Sequence, residues 1–483
     1  MGDREKTHRR LENAGETTEP VVKQFSDRPP SERLPMKSSH NIRSSRRSVK
    51  NIQIIQGGQD LTAQAGLIPV VKFLKKHGFA SKIEQTLDHQ RGATGVYDAV
   101  DMILLPLVAI IGGARSVSSI VTVWNDRVLC LAAGWRRIPD ETTFGRILRT
   151  FTQKNINEME TLNHRIRASI WRSALRFGSS VVGVLPRIVI DVDSTVKTVY
   201  GNQQGVSVGY NPHKCGAASY HPLLAFCAET KEILQGWLRS GDVYTSNGVV
   251  EFMRQLLAHL PNRTRILFRG DSGFFAGKLL DYLDDRDQDY LIKAKFKGLR
   301  LLLETKQWTR IKANHDWEST EFTHQCGTWS RSRKFVAVRR EKEIDAKDAD
   351  TLFEMKEYDY FCYVLTDELA PWQAHKHYGQ RATSETWIEE AKNQSALAHI
   401  KTADFWANSA LFQTAILAYN TLRWMALCSG NKILQRWEAA TIRTFLIRMA
   451  GKWTTGSRQQ KLRVPKRMLY NAQWEAWVAV AET

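Results

Sequence analysis

Three acidic residues stand where carboxylates could act together. Asp193 and Asp271 each end an apolar run with the character of a strand, and Glu385 lies in a later segment of helical character. Ligand sites in α/β sheets lie at the carboxyl ends of the strands. Carboxylate oxygens suit hard divalent cations, so these residues are candidates for metal-dependent chemistry.

Alternation alone leaves the first acid undecided. In a strand over 187–193, Asp191 and Asp193 point to the same face, and two acids there are costly unless they are solvated or bound to a cation. One of them could instead cap the turn that begins at Ser194. Asp271 has a similar structural alternative, because Asp is a common residue at the N-terminus of a helix.

The helical segment has the spacing Y-x2-R-x3-E-x6-K, formed by Tyr378, Arg381, Glu385 and Lys392. If the segment is one helix, a rotation of about 100° per residue places all four within an arc of roughly 60°. Glu389 falls only about 20° outside that arc, so geometry alone does not single out Glu385. A solvated helix with charge pairs would have the same pattern.

Periodicity predicts the elements that hold these residues. Strands are expected at 187–193, 220–229, 233–238, 265–271 and 289–296, and helices at 249–260 and 276–283. This order predicts an α/β layer with a mixed sheet. Short strand-like runs predict a β-rich insertion over 304–370, followed by two long helices at about 377–400 and 405–428.

The N-terminal part divides into two regions. Residues 1–50 are poor in large apolar side chains and are expected to be disordered, either as a DNA-binding arm or as a solvated tail. Residues 61–175 have helical periodicity, with a helix start predicted at 139–143. Arg146 and Arg149 would project from that helix into a DNA groove, or would be ordinary solvated arginines.

The composition limits the class of protein. There are 69 basic and 50 acidic residues, and the net charge of +19 favours polyanionic partners, nucleic acid first. The longest apolar run, 102–111, is too short to span a bilayer, and no secretory signal precedes it. We therefore expect a soluble cytoplasmic protein with no membrane role. The six cysteines form no CxxC pair, which argues against a disulfide framework or a zinc ribbon.

Together with other motifs, the Y-x2-R-x3-E-x6-K spacing resembles the YREK signature of bacterial insertion-sequence transposases with a DDE triad, and more narrowly the group classed as transposase DDE domain, group 1. The supporting stretches lie at 191–195, 201–205, 209–212, 219–223 and 269–274. The resemblance covers about Leu61 to the C-terminal region, and residues 1–50 look like an extension beyond it.

This resemblance implies a ribonuclease-H-like core with a β-rich insertion, flanked by a helical N-terminal DNA-binding region and a helical C-terminal region. Together with the composition and periodicity, it gives these predicted divisions: a basic, disordered arm over 1–58, a helical DNA-binding region over 59–180, the first part of the core over 181–303, the insertion over 304–370, the second part of the core with the glutamate helix over 371–430, and a basic helical region over 431–483.

The resemblance also implies roles for the site residues. The catalytic and metal-binding triad would be Asp193, Asp271 and Glu385. Asp193 is preferred over Asp191 because the family's first aspartate is typically followed by a short Ser/Thr stretch. The residues that match the signature positions expected to contact transposon-end phosphates are Tyr378, Arg381 and Lys392.

The implied activity is cutting at terminal inverted repeats and joining to target DNA, with two Mg²⁺ ions per site and Mn²⁺ as a substitute. A hairpin intermediate is expected, with a flipped base stacked on an aromatic side chain. Trp308, Trp317 and Trp329 are candidates for that stacking, against a structural role for each. The implied partners are double-stranded DNA (ends and target) and a second copy as a homodimer on DNA. The alternatives are a metal-dependent nuclease of the same fold and a non-catalytic DNA-binding descendant.

Overall fold

The computed structural model describes residues 53–89, 95–176, 185, 187–209, 211, 214–342, 357–397 and 402–482. The basic arm expected over residues 1–58 therefore lies almost entirely outside the described residues. From Gly58 onward the chain forms one compact unit.

The described chain contains both helices and strands. The helices are α1 Leu67–Lys76, α2 Phe79–Thr86, α3 Ala99–Gly112, α4 Val117–Trp124, α5 Arg127–Ala133, α6 Glu141–Leu148, α7 Gln153–Arg176, α8 Val249–Ala258, α9 Gly277–Asp284, α10 Leu299–Glu304, α11 Pro371–Gly379, α12 Ala382–Gln394, α13 Phe405–Cys428, α14 Lys432–Arg436, α15 Ala439–Ile442 and α16 Asn471–Glu482. The strands are β1 Leu61–Thr62, β2 Arg187–Ser194, β3 Lys197–Thr198, β4 Ser207–Val208, β5 Ala218–Tyr220, β6 Leu223–Cys227, β7 Ile233–Trp237, β8 Arg265–Gly270, β9 Asp289–Lys293, β10 Thr309–Ile311, β11 Asn314–His324, β12 Arg333–Glu341, β13 Tyr358–Leu365, β14 Gly451–Gly456 and β15 Gln459–Arg463.

A nine-stranded mixed sheet forms the centre of the fold, in the order β10-β11-β12-β13-β9-β8-β2-β6-β7. The neighbouring strands β2, β8 and β9 are parallel, and the other pairs are antiparallel. Apolar side chains of β2, β8 and β9 on one face join the main core. The mixed α/β architecture predicted from the sequence is confirmed.

The β-rich segment between β9 and α11 does not form a sheet of its own. Its last strand, β13, pairs antiparallel with β9, and β12, β11 and β10 continue outward from it. The inner side chains of β12, Val336 and Val338 among them, are fully buried. The segment thus covers the edge that β9 would otherwise expose for non-specific strand pairing.

Helices from both ends of the chain cover the other end of the sheet. The long helix α13 is buried along nearly its whole length and packs against α7, α3 and β7. A buried carboxylate links these layers, because Glu232 accepts hydrogen bonds of 2.6 Å from the indole N–H groups of Trp171 on α7 and Trp424 on α13. The helical layer and the sheet are therefore one packing unit.

One apolar helix pair resembles a membrane span in length and composition, but it is sharply bent. Within the described residues, no single helix is long and apolar enough to cross a membrane, and α3 and α4 reach the necessary length only together, at an angle of 92° to each other. The side chains of α3 are mostly buried inside the fold.

The C-terminal region is not helical throughout, which corrects the sequence-based expectation. β14 and β15 form a hairpin, and β14 also pairs with β1 near the start of the described chain. The turn places Ser457 and Arg458 at φ of 51° and 61°. Two-residue turns of this kind usually contain Asn-Gly or Asp-Gly, so Ser-Arg gives no hairpin signal in the sequence.

Candidate active site

Two of the predicted acids lie at the carboxyl ends of neighbouring parallel strands. In the parallel register, Asp191 on β2 pairs with Arg269 on β8. Two residues further along, Asp193 lies near the end of β2 and Asp271 follows directly after the end of β8, and the two carboxylates are near enough for the charge of Asp271 to act on Asp193. Asp271 also accepts a hydrogen bond of 2.9 Å from the backbone N–H of Gly273, so it caps the short turn after β8 as well as lying near Asp193.

Asp191 is already paired inside the protein. Its two carboxylate oxygens accept hydrogen bonds of 2.6 and 2.8 Å from Arg269, and neither side chain is appreciably exposed. The Asp193 side chain is 15% exposed and faces other carboxylates. The geometry therefore favours Asp193 as the acid that is available to a ligand.

The signature segment is not a single helix, contrary to the assumption behind the arc of four residues. α11 ends at Gly379 and α12 begins at Ala382, with a turn at residues 380–381. Arg381 in this turn lies near Asp193 (Nη2–Oδ2, 2.8 Å) and Glu385 (Nη1–Oε1, 3.8 Å). The break therefore does not separate Arg381 and Glu385 from the strand acids. The long helix expected over 377–400 likewise ends at Gln394.

Arg381 keeps unused hydrogen-bonding capacity. Its side chain is buried, yet Nε and Nη2 have no hydrogen-bond partner among the described residues, because the contact with Asp193 is close but lacks hydrogen-bond geometry. Buried polar groups normally find partners. Unsatisfied guanidinium donors beside a row of carboxylates are suited to an anion such as phosphate.

Burial and like charge alter the ionisation of Asp193. Burial, reinforced by the carboxylates of Asp271 and Glu385, raises the pKa of Asp193 to about 6, although Arg381 acts in the opposite direction. Burial also raises the pKa of the Tyr378 phenol to about 12, so this phenol is a neutral hydrogen-bonding group at physiological pH. The site is an acidic cluster that holds one arginine.

Lys392 lies at the Asp193 end of the row. Its ammonium donates a hydrogen bond of 2.8 Å to the Thr195 hydroxyl, two residues beyond Asp193. Burial lowers the pKa of Lys392, and the neighbouring carboxylate of Glu389 partly offsets that effect. Glu389 thus acts on Lys392, whereas Glu385 acts on Asp193.

The donor set fits a divalent cation by its chemistry and charge. Asp193, Asp271 and Glu385 supply carboxylate oxygens, which hard cations prefer, and their mutual repulsion is what a bound cation would relieve. In the arrangement described, no three His, Cys, Asp or Glu side chains of the described chain are close enough to hold one ion. Arg381 instead bridges Asp193 and Glu385.

A divalent cation is expected to raise the melting temperature, and this increase should shrink as the pH falls through about 6. The reason is that Asp193 must be ionised to bind a cation, and its folded pKa of about 6 exceeds the ordinary value of 3.8. Without metal, the stability contributed by protonated Asp193 is fully present below pH 3.8 and is lost as the pH rises to about 6. Thermal unfolding with and without Mn²⁺ across this range measures the effect.

The control for that measurement is Asp193→Asn, in which the metal-dependent increase should be small at every pH. If the metal-dependent increase in the melting temperature of the wild type were the same at every pH in this range, Asp193 would not be part of the metal site.

The arginines expected to enter a DNA groove lie at the exposed end of α6. Asp140 caps this helix by accepting from the backbone N–H of Thr143. Arg146 and Arg149 are exposed, and each makes a local hydrogen bond, to the Thr143 hydroxyl (3.3 Å) and the Gly145 carbonyl (3.2 Å) respectively. Both side chains are accessible to solvent, and their hydrogen bonds are made within α6 rather than to the acidic cluster.

The three tryptophans considered for base stacking are in different environments. Trp329 is 7% exposed and packs against Phe275 and Phe335, which corresponds to a structural role. Trp308 and Trp317 are half-buried on the β-rich segment, and Trp317 contacts Trp372 of α11.

Arg269 is the residue whose role sequence reasoning missed. Besides binding Asp191, its Nη1 donates a hydrogen bond of 2.7 Å to the backbone carbonyl of His377 on α11. One side chain thus joins the strand of Asp193, the strand of Asp271 and the helix of Tyr378. The sequence does contain a signal, because Asp191 precedes Asp193 by two residues and Arg269 precedes Asp271 by two residues. Recognising that Asp191 and Arg269 pair with each other, however, requires the strand register.

The fold and the site together define a class of protein: an α/β enzyme with a carboxylate cluster for phosphoryl-transfer chemistry, bordered by cationic side chains. The chain belongs to the family described as Transposase DDE domain group 1, whose model matches residues 44–481. It is a DDE transposase, an enzyme that cleaves and joins DNA. DDE transposases generally use divalent metal ions.

Two further comparisons concern solved structures and curated proteins. A structure titled "Cryo-EM structure of piggyBac transposase synaptic complex with hairpin DNA" is similar at 13% identity and a TM-score of 0.38, over 78% of this chain and 81% of that chain. No curated protein is similar enough to count as a match.

Proposed function

We propose that this transposase cuts an insertion sequence at its terminal inverted repeats and joins it to target DNA through the cluster of Asp193, Asp271 and Glu385. The observation that carries the proposal is the shared row of Asp193 and Asp271 at adjacent strand ends, with Glu385 held beside Asp193 through Arg381. The central strand order β7-β6-β2-β8-β9, with only β2, β8 and β9 parallel, supports a ribonuclease-H-like core.

Bound divalent ions, which we propose are two Mg²⁺ with Mn²⁺ as a substitute, would activate the attacking oxygen and stabilise the leaving one. Asp193, Asp271 and Glu385 would hold them. Arg381 would turn its unsatisfied donors to the phosphate at the cleavage position and so fix its orientation. Lys392 would hold a neighbouring phosphate, and the neutral Tyr378 phenol would donate a hydrogen bond to the same strand.

The proposed reaction begins with hydrolysis of one strand at the end of the element. The 3′-hydroxyl released in this way would then attack the opposite strand to form a hairpin, and later the target. Trp308 and Trp317 remain the candidates for stacking a flipped base, since they are half-buried whereas Trp329 is buried. A homodimer on DNA would hold the two ends together.

The test is cleavage of a duplex that carries the end of the protein's own element, in the presence of Mg²⁺, with products separated on a denaturing gel. We expect a nick at the element end and then a hairpin. Nicks without hairpin or joined products would favour a nuclease that does not transfer strands. Binding without cleavage in either Mg²⁺ or Mn²⁺ would contradict the proposal.

Lys392→Ala is expected to weaken binding to the element end and to reduce the slope of log affinity against log salt by about 1, as for the loss of one phosphate contact. The slope is measured by titrating labelled duplex at several salt concentrations. Thr195→Val is the matched control, because it removes the hydrogen-bond partner of Lys392 but keeps the charge. An unchanged slope in Lys392→Ala would exclude a phosphate contact.

A further inference from the structure

A run of lysines continues β9 beyond the catalytic edge of the sheet. Lys293, Lys295 and Lys297 are exposed, and they alternate with Ala294, which is buried, and Phe296, which is half-buried. Phe296 packs on Phe275, close after Asp271 in the chain. The three lysines therefore all point away from the core, the first two through the alternation of an extended chain and Lys297 from the turn that follows.

The first of these lysines belongs to the same row as the two aspartates. Arg269 on β8 pairs with Leu291 on β9 in the parallel register. The register continues to Gly270 and Ile292, so Lys293, the last residue of β9, lies at the level where Asp271 follows the end of β8. Since neighbouring strands are about 4.8 Å apart, Lys293 lies next to the acidic cluster rather than remote from it.

The side chains also share one face of the sheet. Leu291 packs in a small apolar cluster with Leu267 and Ala374 of α11, whereas Tyr290 and Ile292 belong to the main core on the opposite face. Lys293, two residues after Leu291, therefore points to the side on which α11 and the catalytic row lie.

Within the described chain none of these three lysines has an ion-pair partner, whereas several basic residues of the neighbouring β-rich segment do. On that segment, Arg331 pairs with Asp285, Lys334 with Glu321 and Lys342 with Glu357. The three lysines at and beyond the end of β9 thus concentrate positive charge that no ion pair neutralises beside the site.

We propose that Lys293, Lys295 and Lys297 form a phosphate-binding track, the lysine track, that holds one strand of the substrate DNA where it leaves the catalytic row towards the β-rich segment. The proposal rests on the proposed function. Lys392 borders the row at its Asp193 end, and Lys293 borders it at the Asp271 end, so a DNA strand crossing the carboxylates meets a cation on each side.

The spacing of the track suits a DNA backbone. Lys293 and Lys295 are alternate residues of an extended stretch and are thus about 6.6 Å apart, close to the separation of successive phosphates along a strand, and Lys297 follows them in the turn before α10. Lysine is a point charge without a fixed bonding geometry, so the track would hold a backbone of any sequence and contribute affinity without specificity.

The first test measures salt dependence with a duplex of arbitrary sequence. The triple variant Lys293→Gln, Lys295→Gln, Lys297→Gln should reduce the slope of log affinity against log salt by about 2.7, which is about 0.9 for each of three phosphate contacts. The matched control is Arg331→Gln, Lys334→Gln, Lys342→Gln, which removes the same charge from side chains that are already paired, and it should change the slope by less than about 1. Equal slopes in the two variants would overturn the proposal, and unchanged thermal unfolding would establish that both are folded.

The second test locates the contact. A duplex carrying the element end is prepared with single phosphates replaced, one at a time, by neutral methylphosphonates. Wild-type affinity should fall at consecutive phosphates on one side of the cleavage position, and the track variant should be insensitive at those same positions. Equal sensitivity of the two proteins at every position would overturn the track.

The outcomes separate this proposal from the proposed function. If the wild type cleaves the element end but the track variant has wild-type salt dependence and phosphate sensitivity, the track is wrong and the function stands. If the track variant has the reduced slope of log affinity against log salt although the wild type never cleaves an element end, the track stands and the proposed function is wrong. A wild-type protein that binds no DNA would overturn both.

Discussion

Asp271→Asn is expected to reduce DNA cleavage by at least about 10³-fold, because losing a metal ligand removes several kcal/mol of transition-state stabilisation. Binding to the element end should be nearly unchanged. The Asn side chain retains an oxygen that accepts from the Gly273 N–H, as Asp271 does at 2.9 Å, so the turn after β8 should keep its shape. Cleavage rate and affinity are measured on the same labelled duplex.

The control for Asp271→Asn is Asp287→Asn. Asp287 precedes β9 at the opposite end of the parallel strands, and its exposed carboxylate pairs with Arg265. Its backbone φ of 52° is one that Asn tolerates well. This control should cleave at the wild-type rate. Cleavage by Asp271→Asn at a comparable rate would show that the triad is wrongly assigned.

Arg269→Met is expected to lower the free energy of unfolding by about 3–5 kcal/mol near neutral pH, because Asp191 would be left as a buried charge without a partner. Burial already raises the pKa of Asp191 against the effect of Arg269, and loss of Arg269 raises it further. The protonated acid then costs less, so the deficit should shrink as the pH is lowered. Urea unfolding at several pH values measures it.

The double variant Asp191→Leu, Arg269→Met separates stability from positioning. Replacing a whole buried ion pair by apolar side chains is often close to neutral, so most of the stability should return. The hydrogen bond from Arg269 to the His377 carbonyl would still be missing, and cleavage should stay below the wild-type rate through kcat. Full recovery of both stability and cleavage would mean that Arg269 only neutralises Asp191.

Much of the sheet was predictable because its signals are local. The apolar runs and the polar residues after each of them located β2, β8 and β9 to within a few residues. The same runs put Asp193 and Asp271 at strand ends. Turns without a favoured residue carried no such signal, and the β14–β15 hairpin was missed because Ser457 and Arg458 adopt positive φ without Asn or Gly.

The sequence by itself determined which residue types stand at the ends of the strands and along α12, and the family to which the chain belongs. Only the tertiary structure decided which of them meet. The register of β2, β8 and β9 pairs Asp191 with Arg269, leaves Asp193 beside Asp271, and sets Lys293 in their row. The turn between α11 and α12 brings Arg381 to Asp193. Register and helix docking depend on burying side chains distant in the chain against one another, and local periodicity does not contain that information.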